Sequence, residues 1–330
     1  MNRRLLLAMV GVGALAVSCG GSRQQRPAIS EEGANQLFKL TQELNETLRQ
    51  CEAMRSQVTS QEEYSLGGAV AINWVRQGGG LMLASNPEQR MHRMLNLIGQ
   101  NLAAQSARPT LEWTFGVLED PNTANAASAP GGYVFITRGL VKRVQNEAQL
   151  AGVLAHEISH VVLKHALTRY DDVKVNQCKL AANFQASQRM MRQVNKEVMP
   201  AELLHLLEAL RNTGVLDLEK NPDLLRRLAD PLVEQLVQQG YAHEDEFAAD
   251  AMALHLIASA GYDPAEYVAF LGTLEEGGGF SHHPGNRERQ ERLLALLDAA
   301  KKPGDDFPEL PANNRGLMKL PVPVELAAAR

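Results

Sequence analysis

The chain has 330 residues, of which 45% are hydrophobic and 22% charged, and its formal net charge is -5. These values belong to an ordinary globular protein long enough for one large domain or two small ones. They exclude a strongly acidic solvating chain. No basic block follows Arg3 and Arg4, which argues against nucleic acid as a partner.

The first 19 residues run from that basic start through an apolar stretch, Leu5 to Val17, into Ser18-Cys19-Gly20. This is the order of a secretory signal. The apolar run is too short for a membrane span, which needs about 20 residues. Cys19 stands where a lipoprotein signal carries its modified cysteine, and residues 20–28 read as a flexible tether. The expectation is a bacterial periplasmic protein, lipid-anchored at Cys19. Glycine rather than aspartate at position 20 favours the outer membrane. Cys51 and Cys178 remain. In an oxidising compartment they either pair or stay as two separate buried thiols.

Ile29 to Val58 reads as a polar helix with a packing stripe of Leu37, Leu40, Leu44 and Leu48. Two further helices follow, Glu62 to Gln77 and Pro87 to Gln105. Leu111 to Leu118 alternates as a strand. A turn-rich stretch from Asp120 to Gly132 leads to a second strand, Tyr133 to Thr137. That strand is either a sheet edge open to an extended substrate or a plain core strand.

Helical period returns at Asn146, a cap with Gln149 three residues on, and runs to about Arg169. The helix is apolar over most of its circumference and hence buried. Asp171 to Gly240 is helical in flavour, with Pro200, Gly214, Pro222 and Pro231 as breaks. Helices are expected at Tyr241 to Ala260, Pro264 to Glu275 and Asn286 to Ala300. Between the last two lies Gly277-Gly278-Gly279. After Pro303 the tail is Pro-rich and reads as irregular.

The chemistry concentrates in His156-Glu157-Ile158-Ser159-His160. Residues four apart share a helical face, so His156 and His160 can grip one ion from a rigid element. Glu157 then lies beside the water that the ion activates and serves as general base. A catalytic zinc needs a third protein ligand. One option is a further histidine six residues after His160, but position 166 is Ala. The remaining candidate is a carboxylate of Glu246-Phe247-Ala248-Ala249-Asp250 on the Tyr241 to Ala260 helix. Glu246 is placed as ligand, and Asp250, four residues on, as acceptor of a ligand histidine's second N–H. His165 falls off the ligand face. His92, His205, His243 and His255 have no partner spacing.

HEISH paired with EFAAD resembles the gluzincin zinc metallopeptidase family of HtpX, the CAAX prenyl proteases, BepA and LoiP. Ala129 to Leu140, Ala260-Gly261-Tyr262-Asp263-Pro264, and His283-Pro284 with Arg289 are similar to further segments of that family. The likeness covers roughly Ser60 to Leu297 and favours the soluble, periplasmic lipoprotein-like branch. It implies a role for His283, either stabilising the oxyanion or occupying the open zinc position. The bland alternative is a solvent-exposed loop histidine. Arg289 is expected to orient a loop, to bind Asp250, or to lie on the surface.

The expected fold is mainly α with a small β-sheet (α+β), zincin-like, with the active-site helix and a second helix carrying the Glu ligand. The expected organisation is a signal peptide at 1–19, the tether at 20–28, a peptidase domain at 29–302 and an irregular tail at 303–330. Within the domain, 171–240 is a helical insertion and candidate lid. One Zn2+ per chain is expected. The expected activity is endopeptidase cleavage of unfolded or misassembled cell-envelope proteins. The rival is a chaperone-like lipoprotein that holds zinc without cutting, and Glu157 argues against it, because a purely structural site needs no base.

Overall fold

The computed structural model describes residues 31–55, 57–190, 201–212, 217–274, 283, 286–300 and 318–327. The expected leader, tether and Cys19, and the glycine run at 277–279, lie outside them, as do Pro200 and Gly214. The chain divides into two compact units, one ending at Gln42 and one beginning at Glu43. Of the first, the described part is the opening of helix α1 (Glu31–Ala53). The second holds the remaining elements.

Helices α2 (Ser60–Gln77) and α3 (Asn86–Ala104) start where side chains can satisfy their free amides. Thr59 accepts from Glu62 N, and Ser85 forms a reciprocal capping box with Glu88. Three strands follow, β1 (Thr114–Leu118), β2 (Ala126–Ala129) and β3 (Tyr133–Thr137), in the order β1-β3-β2. β1 runs parallel to β3, with Thr114 opposite Tyr133, and β2 runs antiparallel to it, with Ala129 opposite Tyr133. Gly131 and Gly132, at φ 80° and 100°, make the tight return between β2 and β3 that L side chains resist. Of the two sequence readings for Tyr133–Thr137, the core strand is the one found. It is central, with Val134 to Thr137 buried. The edges are β1 and β2, the latter a strand of small residues within the stretch read as turns.

After the short α4 (Arg138–Val141) comes α5 (Glu147–Val162), buried from Ala148 to Val161. Asn146 caps it by accepting from Gln149 N at 2.9 Å. The helix ends seven residues before the Arg169 that its period suggests. Lys164 adopts φ 61°, the one non-glycine positive φ among the described residues, and the chain restarts as α6 (His165–Met190). α7 (Ala201–Asn212) and α8 (Pro222–Gln239) complete the 171–240 stretch. Pro222 opens α8 as the sequence indicates, whereas Pro231 lies inside the helix and does not end it.

α9 (His243–Ser259) packs along α5, and α10 (Pro264–Leu271) packs against α5 from another side. Gly152 permits that approach, since a Cβ there would lie 2.5 Å from Cβ of Tyr267. α11 (Asn286–Ala300) covers α9 and α10. Residues 318–327 are ordered against the fold and include a short helix, α12 (Val324–Ala327), whose Leu326 is fully buried.

Two apolar cores result. The first gathers α3, α5, α9, α10 and α11 with the sheet. The second gathers α2, α6, α7 and α8, and Leu44 and Leu48 of α1 pack on it. Of the two alternatives for the cysteines, the disulfide is the one found. Cys51 of α1 and Cys178 of α6 are bonded within the second core, with Cα atoms 5.7 Å apart. No helix among the described residues is long and apolar enough to cross a membrane.

Candidate metal centre

One turn of α5 separates His156 from His160, and their Nε2 atoms approach to 3.0 Å. α9 brings in Glu246, whose Oε2 lies 3.4 Å from His156 Nε2 and whose Oε1 lies 3.5 Å from His160 Nε2. His283, from the segment before α11, places Nδ1 at 3.3 Å from His156 Nε2 and at 2.9 and 3.0 Å from the two Glu246 oxygens. All four side chains are buried, and their donor atoms lie within 4.8 Å of one another. A tetrahedral ion with bonds of ~2.0–2.1 Å has ligand–ligand edges of about 3.3–3.4 Å. The observed 3.0–3.5 Å spacings match such an ion.

The chemistry of the donors agrees. Burial, helped by the neighbouring His156, pushes His160 well below the ordinary imidazole range, so its ring is neutral with a free lone pair. Burial alone would raise Glu246, but His283 and His156 beside it hold the carboxyl well below its usual range. Glu157 is fully buried, and neither of its oxygens makes a well-formed hydrogen bond. His283 Nε2 lies 3.3 Å from its Oε1. A buried carboxylate is costly unless a neighbour offsets its charge, which His283 does here. Glu157 thus lies buried next to the metal donors, with His283 as its partner. The residues present fit a metal ion bound by His156, His160 and Glu246.

Each ligand histidine is also held from behind. His156 Nδ1 donates to Asp250 Oδ1 at 2.9 Å, the role the sequence assigns to Asp250. The same oxygen accepts from Tyr267 Oη at 2.8 Å. Arg289, fully buried, binds Asp250 with two bonds, Nε to Oδ2 at 2.7 Å and Nη2 to Oδ1 at 2.8 Å. Of the sequence readings of Arg289, the one binding Asp250 is the one seen. His160 Nδ1 meets His165 Nδ1 at 2.8 Å, and the Tyr241 ring stacks on His160 at 4.0 Å between centroids. His165 therefore reaches a ligand that its spacing places out of reach. Tyr241 and Tyr267 carry no signal in the sequence, because neither has a fixed offset from the motif and both contacts are made only by tertiary packing. His92, His205, His243 and His255 stand outside the donor cluster.

Comparison with known proteins agrees with this geometry. The profile of Peptidase family M48 matches residues 88–297, more than half of the chain. The chain is 35% identical over 79 residues to the mitochondrial metalloendopeptidase OMA1 of Schizosaccharomyces pombe, covering 24% of this chain and 23% of that protein. It is 36% identical over 75 residues to a putative beta-barrel assembly-enhancing protease of Vibrio cholerae, covering 23% and 15%. It is 23% identical over 212 residues to the beta-barrel assembly-enhancing protease of Escherichia coli O157:H7, covering 64% and 38%. The chain thus spans well under half the length of each of these relatives.

Proposed function

The chain belongs to peptidase family M48, and from that premise we propose that it is a zinc-dependent endopeptidase acting on unfolded or misassembled proteins of the bacterial cell envelope. The observation that carries the reading is the buried set of two imidazoles and one carboxylate, with the buried Glu157 beside it and His283 Nε2, at 3.3 Å, paired with its carboxylate. Two nitrogens and one oxygen are a donor set of catalytic zinc sites. Zinc held there would supply a Lewis acid and a water of lowered pKa. Glu157 accepts the proton of the attacking water and returns it to the leaving amine. Asp250 keeps His156 in the tautomer that presents Nε2. The edge strand β2, packed against α5, offers backbone groups to which an extended substrate adds as a further strand.

Three features support the envelope setting. The leader-like start ends at Cys19, a site for lipid anchoring to the outer membrane. The Cys51–Cys178 disulfide suits an oxidising compartment. Two relatives are named for enhancing beta-barrel assembly. With His283 as a fourth donor, a bound zinc would have a closed ligand set, resembling a structural site rather than a catalytic one.

The test uses the chain without residues 1–19. Elemental analysis is expected to give about one zinc per chain. Glu157→Gln is expected to keep zinc and fold while losing most casein cleavage, because glutamine cannot take the proton. His283→Ala is expected to raise basal cleavage. Absence of bound metal, or full activity in Glu157→Gln, overturns the reading. A roughly hundredfold fall in His283→Ala would instead make His283 an oxyanion donor.

A further inference from the structure

Five residues along a continuous helix place a side chain about 140° round the axis from its starting point. His165 on an unbroken α5 would therefore point away from His160. The chain does not continue. Lys164 takes φ 61°, a conformation that L-residues adopt at a cost, with no glycine or asparagine to ease it. The chain turns there, and the side chain of His165, the first residue of α6, meets the last turn of α5. Its Nδ1 lies 2.8 Å from Nδ1 of His160, and the side chain is buried. On the opposite side, Asp245 Oδ1 lies 3.8 Å from His165 Nε2.

The proton arrangement follows from which nitrogens are committed. His160 Nε2 faces His156 and Glu246 and must offer a lone pair there. Its proton therefore sits on Nδ1 and is donated to His165 Nδ1. His165 accepts with Nδ1 and carries its own proton on Nε2, toward Asp245. Tyr241, just before α9, stacks on the His160 ring with 16° between planes and fixes its tilt. His160 is thus held by the two ends of the 165–241 segment.

We propose that His165 is a positioning residue for the metal, a neutral imidazole that accepts the Nδ1 proton of His160 and so fixes the tautomer and direction of that ligand. The strained turn at Lys164 is what makes this contact, and it is the physical reason for the break in helix α5. The two ligands are then held unequally, His156 by an ionised carboxylate and His160 by an uncharged ring. This inference rests on the reading of the site as a zinc centre.

The experiment measures Zn2+ affinity by competition with a chromophoric chelator, the Co2+ ligand-field spectrum, and the melting temperature of the metal-free protein. It compares the wild type with His165→Leu and His165→Gln. Leucine removes the acceptor, whereas the glutamine carbonyl can still accept from Nδ1. His165→Leu is expected to lose about 10- to 100-fold in affinity, the usual effect of removing a ligand's outer partner. His165→Gln is expected to recover most of that loss and the wild-type Co2+ spectrum, with both metal-free variants melting alike. Should His165→Leu not fold, His165→Asn, too short to reach, takes its place in the comparison. Unchanged affinity in the variant without an acceptor, or equal losses in it and in His165→Gln, overturns the proposal. Failure of the wild type to bind Zn2+ would instead refute the zinc reading beneath it.

Discussion

Arg289 shows how much of the centre rests on a residue outside the metal-donor cluster. A fully buried guanidinium is expensive unless its donors are met. Here two bonds go to Asp250, Nη2 also reaches Tyr267 Oη at 3.1 Å, and Nη1 lies 3.2 Å from Glu246 Oε2. Burial alone would raise the Asp250 carboxyl, but the charge and hydrogen bonds of Arg289 prevail and hold it well below the usual range. Asp250 therefore stays ionised and can accept from His156. Arg289→Met is expected to destabilise the metal-free protein by about 3–5 kcal/mol, because it leaves a buried carboxylate uncompensated. Arg289→Lys is not expected to rescue it, since an ammonium lacks the planar fork. Adding Asp250→Leu to Arg289→Met removes the orphaned charge and is expected to restore most of the stability, yet zinc affinity should stay low because His156 has lost its acceptor. Urea unfolding and chelator competition read the two quantities separately. A wild-type result for Arg289→Lys in both would refute the account.

Among the elements, the C-terminal strap of residues 318–327 is one that the sequence conceals. It bonds to the end of α9 through Met318 N to Gly261 O at 2.8 Å, and to the start of α5 through Glu147 N to Leu320 O at 2.8 Å. Glu266 of α10 clamps it, accepting from Lys319 and also from Asn146 Nδ2 at 2.6 Å and Gln149 Nε2 at 3.2 Å. Burial raises the Glu266 carboxyl, but those three donors and the Lys319 charge outweigh it, and the net shift is downward. A pKa lower in the folded than in the unfolded state means that protonation favours unfolding. The clamp's contribution is thus fully present above the unfolded value of about 4.3 and is lost as pH falls through the folded one. In metal-free protein, Glu266→Gln should be less stable than wild type at pH 7, and the gap should close as pH falls below about 4. A gap that stays constant in urea midpoints from pH 7 to 3 would sink this. The strap reads as irregular because Pro321 and Pro323 break any period and its order comes wholly from partners elsewhere. β2 is hidden for a related reason, since Ala126, Ala127, Ser128 and Ala129 lack β-forming side chains and become a strand by pairing with β3. The break at Lys164 has no glycine or proline to announce it. His156, His160 and Glu246, by contrast, are legible because metal chemistry requires fixed residue types at fixed helical spacing.

At the scale of the whole second unit, the metal ligands and the helical segment between them belong to different cores. α5 and α9 lie in the first, while α6, α7 and α8 build the second with α2 and the end of α1. The Cys51–Cys178 bond closes a sequence separation of 127 residues within the second core. Long closed loops restrict the unfolded chain most, and such bonds typically contribute about 2–4 kcal/mol. Replacing both cysteines with alanine should therefore lower the stability of the protein by that amount. The loss should also be unevenly distributed, because local opening follows cooperative units rather than the whole chain. Hydrogen exchange is expected to quicken in α6 and α8 and to change little in α5 and α9. The centre would feel the loosening most directly through His165 and Tyr241, two contacts His160 receives from that segment. Zinc affinity should then fall by less than in His165→Leu. Exchange that rises equally in α5 and α6 would show that the two cores open as one, and that the disulfide steadies the metal helices directly.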